Sequence, residues 1–130
     1  MSTSVPPPAS AAASPESPTE DIFARGRARA PLMKVVGLSH IILERPALDD
    51  MRHFLLDFGL RRSAQDVHGD YFRGSSSAHH LVAVRRAPTP RFGGVVFLAG
   101  QRSDLDVLTR VAGASQVEPS DEAGGGERVR

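Results

Sequence analysis

The feature that most constrains this chain is that it repeats itself. The apolar run Val35-Val36-Gly37-Leu38-Ser39-His40-Ile41-Ile42-Leu43 has a counterpart in Phe92-Gly93-Gly94-Val95-Val96-Phe97-Leu98. At an offset of 54 positions Ile41 meets Val95, Ile42 meets Val96 and Leu43 meets Phe97. The register holds without a gap, so Asp50 meets Asp104, Met51 meets Leu105, Phe54 meets Leu108 and Gly59 meets Gly113. An apolar strand, an Asp-led helix and a glycine stop at constant offset describe two copies of one supersecondary unit. One position breaks the match, because His40 falls on Gly94.

The rest of the composition narrows the chemistry. A chain of 130 residues builds one core and not two. A net charge of +1 gives no overall field for nucleic acid or a membrane surface. Cysteine is absent, so any metal must be held by histidine and carboxylate. Aromatic residues are 5% with no tryptophan, which leaves no stacking platform for bases. No phosphate-binding loop, nucleophile elbow or dinucleotide fingerprint occurs. Residues 1–31, with Pro6, Pro7, Pro8, Pro15 and Pro18 among Ser and Ala, have too little apolar surface to offset chain entropy, and a disordered tail is expected there. The acidic Glu16, Glu20 and Asp21 argue against a secretory signal, and a cytoplasmic location is expected.

The ordered domain is expected over 32–130, with a first module at 33–88 and a second at 91–130. A strand at 33–45, buried on both faces around Ile41–Leu43, leads into a helix capped by Asp49 or Asp50. Met51, Phe54, Leu55 and Phe58 form its apolar stripe, and Gly59 ends it. Strands follow at about 60–66, 69–73 and 79–87, with a turn at His68-Gly69-Asp70. The second module offers a strand at 92–99 and a helix capped by Ser103 or Asp104, with the stripe Leu105, Leu108, Val111 and Ala112. A short strand at about 114–117, a polar glycine-rich loop from Glu118 to Gly126 and a strand opening at Glu127 complete it. The counterpart of the 79–87 strand falls beyond Arg130, so the second module is expected to be C-terminally incomplete. The fold class is α+β: two βαβββ modules forming a curved mixed sheet with helices outside.

The Gly-Leu-Ser-His-Ile-Ile-Leu opening, the Asp-Asp-Met-Arg-His-Phe-Leu-Leu-Asp-Phe-Gly-Leu helix and the closing Gly-Gly-Gly-Glu-Arg-Val-Arg resemble the vicinal oxygen chelate superfamily of glyoxalases, bleomycin-resistance proteins and extradiol dioxygenases. His79-His80-Leu-Val-Ala-Val-Arg-Arg and Arg91-Phe92-Gly-Gly-Val-Val-Phe look most like the N-terminal, non-catalytic domain of a two-domain, catechol-cleaving dioxygenase. The resemblance implies a small aromatic substrate, a second dioxygenase domain or homodimer partner, and an iron(II) or other divalent ion in complete members. It also implies that the ion is held by a histidine in each module's first strand and a glutamate in the last strand.

His40 matches the first of those ligands, Gly94 stands at the second, and the third would lie past Arg130. His40 is thus either the remnant of a degenerate metal site or a hydrogen-bonded strand histidine, and no metal is expected in this chain. His79 and His80, adjacent on a strand, would point to opposite faces and could not both ligate one ion. His80 could face the cavity beside His40, or lie exposed at a turn edge. His53 is expected on the helix surface and His68 in a turn. Tyr71, Arg73, His80 and Arg85 are the candidates for a substrate cleft, though arginine is as ordinary on a solvated strand edge. Two other roles stay open: a metal-free module that binds a small ligand, and an enzyme completed by dimerisation with ligands in trans. Limited proteolysis should trim the chain to near Pro31 or Met33 and leave a resistant core, and protection through the Pro/Ser/Ala region would contradict the compositional reading.

Overall fold

A computed structural model describes residues 30–130. The tail expected at 1–31 therefore lies outside the described residues, apart from Ala30 and Pro31, which are exposed. The first half runs β1 (Val35–Arg45), α1 (Leu48–Asp57), β2 (Arg61–Gln65), β3 (Gly69–Arg73) and β4 (Val82–Arg86). The second half runs β5 (Arg91–Ala99), α2 (Arg102–Leu108), β6 (Glu118–Pro119) and β7 (Glu127–Arg128). One mixed sheet has the order β2-β3-β4-β1-β5, and β6 and β7 form a separate two-stranded sheet. This is the α+β architecture of the repeat: one βαβββ unit, then a strand and helix that start it again, followed only by a two-strand hairpin.

β1 is the hub. Its parallel partner is β4, with Ile41 opposite Val82 and Leu43 opposite Val84. Its antiparallel partner is β5, with Ile41 opposite Val95 and Ile42 opposite Gly94. Ile41 and Val95 are also equivalents under the sequence repeat. A local twofold axis therefore passes between them, and the repeat in sequence becomes a repeat in space.

Strand alternation divides the sheet into two faces. Ile41, Leu43, Phe72, Val82 and Val84 face α1 and pack with Leu48, Leu55, Met51 and Leu60. Ile42, Tyr71, Ala83 and Arg85 carry the opposite face, as the pairs Ile42–Ala83 and Tyr71–Ala83 require. The expected burial of β1 on both faces is only partial, since Ile41–Leu43 are half-buried.

The helix stripe differs from expectation. Leu48, Met51 and Leu55 face the sheet, whereas Phe54 and Phe58 are 60% and 74% exposed and stack on each other at 6.2 Å. The helix begins two or three residues earlier than the Asp caps implied, with Ala47 as N-cap and no side-chain cap; Asp49 and Asp50 lie in its first turn, where the helix dipole favours them. That early start gives Leu48 the role assigned to Phe54. The glycine stop is as expected. Gly59 has φ 102°, its N–H bonds Leu56 O at 3.0 Å, and the Leu60 N–H bonds Leu55 O at 3.0 Å, which together make a Schellman closure. Asp70, buried on β3, accepts from Arg52 Nε at 3.1 Å and Nη2 at 2.7 Å, tying α1 to the sheet.

The second half departs further. α2 is capped by Gln101 through a capping box with Asp104, not by Ser103 or Asp104 itself. None of its residues is buried, so its expected stripe of Leu105, Leu108, Val111 and Ala112 does not form a core, and Val111 is exposed. Residues 114–117 are not a strand; the short strand falls at Glu118–Pro119 instead. Truncating Leu55 to Ala should cost about 2–4 kcal/mol in urea denaturation and Phe58→Ala less than about 1. The reverse order would restore the Phe54–Phe58 stripe as the buried one.

Candidate functional site

The face of the sheet away from α1 carries the only His/Asp/Glu cluster of metal-ligand spacing among the described residues. His40, His80 and Glu122 are 5%, 8% and 8% exposed, and their ligand atoms lie within 4.8 Å of one another. His40 comes from the middle of β1. His80 precedes β4, because that strand starts at Val82 rather than near residue 79. His79 and His80 are thus not on a strand, and their rings touch through Nδ1–Nδ1 at 2.9 Å. Glu122 comes from the glycine-rich loop between β6 and β7.

The loop reaches the sheet because of its composition. Gly124 has φ 101°, and a Cβ there would sit 3.1 Å from the His79 ring. Only glycine accepts both the conformation and the close approach. Ser120 accepts from the Glu122 N–H at 3.3 Å, and the Ser120 N–H donates to Gly126 O at 2.8 Å, closing the turn.

The carboxylate divides its two oxygens. Oε1 is ion-paired with Arg85. Oε2 is 2.8 Å from His40 Nε2 and 3.9 Å from His80 Nε2. Contact with His40, helped by Arg85, holds the Glu122 carboxyl below its ordinary range although burial opposes this. Burial, with His40 and His79 beside it, pushes His80 down to about 4, so its ring is neutral at neutral pH. On the far side of each ring, Ser39 Oγ lies 3.0 Å from His40 Nδ1 and His79 meets His80.

Four of the residues singled out in the sequence meet here: His40, His80, Tyr71 and Arg85. Tyr71 is buried with its ring 4.9 Å from that of His80, so it walls the cluster rather than lining an open cleft. Arg73 is not part of it; its guanidinium donates to Ser76 O at 3.0 Å. Arg85 faces Glu122 instead of solvent. His53 is exposed on α1, and His68 is exposed in the turn where its N–H bonds Asp66 Oδ1 at 2.8 Å. Gly94 lies opposite Ile42, and a side chain there would meet nothing within 4 Å. Glu122 was missed because nothing local marks one acid of a polar loop. The signal available was a glycine-rich loop carrying an acid and following a repeat whose second histidine is lacking.

The fold and this face together define a class. The chain has the fold of the vicinal oxygen chelate superfamily, as its strand–helix signature implied, and is a glyoxalase/dioxygenase-like domain. It is similar to the Mn(II)-bound glyoxalase from Novosphingobium aromaticivorans, with 26% identity and a TM-score of 0.66 over 73% of this chain and 34% of that one. It is also similar to homoprotocatechuate 2,3-dioxygenase from Brevibacterium fuscum in its anaerobic complex with 3,4-dihydroxyphenylacetate, with 22% identity and a TM-score of 0.67 over 79% and 34% of the two chains. An extradiol ring-cleaving dioxygenase from B. fuscum matches at 21% identity and a TM-score of 0.62, over 78% of this chain and 31% of that one. The chain thus spans about a third of the length of these solved structures. No family model and no curated protein matches the chain. Among the described residues no helix is long and apolar enough to cross a membrane.

Tyr71 is the one tyrosine of the chain, and burial, followed by the nearby Asp66 carboxylate, pushes its hydroxyl up to about 12. The folded state keeps the proton that the unfolded chain loses near pH 10. Its stabilising contribution is whole below pH 10 and disappears as pH rises toward 12, a loss of up to about 2–3 kcal/mol. Stability measured by urea denaturation from pH 9 to 12 should fall along that course, and Tyr71→Phe should flatten it. An unchanged slope in Tyr71→Phe would assign the alkaline loss to another group.

Proposed function

We propose that this chain is the non-catalytic, N-terminal-type module of a ring-cleaving, dioxygenase-type oxidoreductase acting on aromatic compounds. In this reading it packs beside a second module that carries the catalytic metal. The observation that carries the reading is Gly94, which stands at the repeat equivalent of His40 and has no side chain to donate. Without a second strand histidine the open, substrate-chelating geometry of a two-histidine, one-carboxylate site cannot form across β1 and β5. The surface of β5 supports the partnership. Phe92 and Phe97 are both 60% exposed, with Val95 and Leu98 also exposed beside Leu38 and Val36 of β1. An apolar strand with one unpaired edge is a surface that proteins ordinarily cover.

The test has two arms. The purified chain, supplied with iron(II), oxygen and 3,4-dihydroxyphenylacetate, should give no ring-cleaved product. It should also associate, with itself or with an added dioxygenase module, and Phe97→Glu should weaken that association at least about tenfold in analytical ultracentrifugation. Turnover by a monomeric wild-type chain would overturn the proposal.

A further inference from the structure

We infer that His40, His80 and Arg85 form a carboxylate-binding cradle, and that Glu122 is its built-in occupant: a self-ligand, carried on the loop between β6 and β7, which a free carboxylate can replace. The site stands whether or not the chain pairs with a catalytic module.

The positions of the hydrogens decide which ion the cradle takes. The Ser39 hydroxyl, 3.0 Å from His40 Nδ1, donates to it, and the hydrogen of that ring then stands on Nε2. His79 and His80 meet through their Nδ1 atoms at 2.9 Å, a contact that needs one donor and one acceptor. With His79 donating, the neutral His80 ring also carries its hydrogen on Nε2. Both Nε2–H groups face one carboxylate oxygen, at 2.8 and 3.9 Å, and the Arg85 guanidinium takes the other. Each of the three side chains thus aims a donor at the same place, and donors converging on a buried face select an anion.

Glu122 does not exhaust these donors. His40 and His80 are more than nine-tenths buried, and among the described residues His40 Nε2, His80 Nε2 and Arg85 Nε all lack a well-aligned acceptor. The tether is the reason. The loop is fixed by Gly124 against the His79 ring and by the Ser120–Gly126 closure, so its carboxylate reaches Arg85 without centring between the two imidazoles. A free carboxylate has no such restraint. Exchange is also open to the hairpin, because β6 and β7 pair only with each other and not with the main sheet. Glu122 would leave with a counter-charge, since Arg128 of the same hairpin lies 3.9 Å from its Oε1. What opposes exchange is the tether itself, which gives Glu122 an effective concentration on the order of millimolar.

The test uses the full chain at fixed pH, with sodium formate as the probe and sodium chloride at equal ionic strength as the control. Binding is followed by the thermal midpoint and by the fluorescence of Tyr71, the one tyrosine of a chain without tryptophan. Glu122→Ala should have a lower midpoint than wild type. Formate should restore it with saturable binding of one ion per chain, and chloride should not. Half-saturation of the wild-type chain should need at least about tenfold more formate, because Glu122 competes for the cradle. Adding Arg85→Met to Glu122→Ala should weaken formate binding at least about tenfold, and adding His68→Ala should leave it unchanged. If Glu122→Ala does not fold, nitrogen-15 imidazole spectra of the wild-type chain decide: formate must move the Nε2 signals of His40 and His80, leave His53 and His68 in place, and speed amide exchange across residues 118–128. A folded Glu122→Ala that answers formate and chloride alike, binding that survives Arg85→Met, or unmoved His40 and His80 signals would sink the proposal.

Discussion

Everything in this molecule hangs on the backbone pairing of β1 along both of its edges. On one side it holds β4 in parallel, a crossover that requires the intervening α1, β2 and β3. On the other it holds β5 antiparallel about the Ile41–Val95 pair. Once both ladders form, every second residue of β1 is committed to a face. Ile41 and Leu43 go to the helix, and His40 and Ile42 go to the opposite side. A slip of one residue would exchange these sets, putting the imidazole into the apolar core and leaving two leucine-sized groups without cover.

Most of this was legible in the amino-acid order because it is periodic. The offset that aligns Ile41 with Val95 in sequence is the one that pairs them across the sheet. The boundaries of β2 and β3 followed from turn residues, as did the Gly59 closure. What failed had a common cause. Phe54 and Phe58 were chosen by helical spacing counted from Met51, which left Leu48 outside the helix. Yet the helix phase is set by where Pro46 and Ala47 let it begin, and then Leu48, Met51 and Leu55 face the sheet. α2 carries a plausible stripe but little sheet beneath it, so the same pattern stays half-exposed. Amphipathic spacing says which side of a helix could be buried, not whether a surface is there to bury it.

The cluster on the other face was half legible for a related reason. His40 stood out because it is the one position that breaks the repeat, and His80 because it could face the cavity beside His40. Glu122 belongs to a stretch with no large apolar side chain: acids, proline, serine, alanine and three consecutive glycines. Its burial is a tertiary event that depends on Gly124 passing close to His79. The expectation of a metal-free chain rested on counting His40 alone, and the fold brings His80 and the Glu122 carboxylate beside it from segments that local patterns leave blank.

A carboxylate as buried as Glu122 is costly unless its charge is met, and removing one partner of such a group is far worse than never having it. Here three cationic or potentially cationic groups surround it: Arg85, His40 and, at 3.9 Å, Arg128. Arg128 is itself held by Glu118 at 3.0 Å and Asp121 at 2.7 Å, so the hairpin carries its own counter-charges to the sheet. Loop and sheet therefore dock through charge where β1 and α1 dock through apolar area. The two faces of one strand are joined to the rest of the chain by different physics. The apolar face is insensitive to ions, whereas the polar face depends on what neutralises a single glutamate. That difference leaves the loop, rather than the core, dependent on charge for its place in the fold.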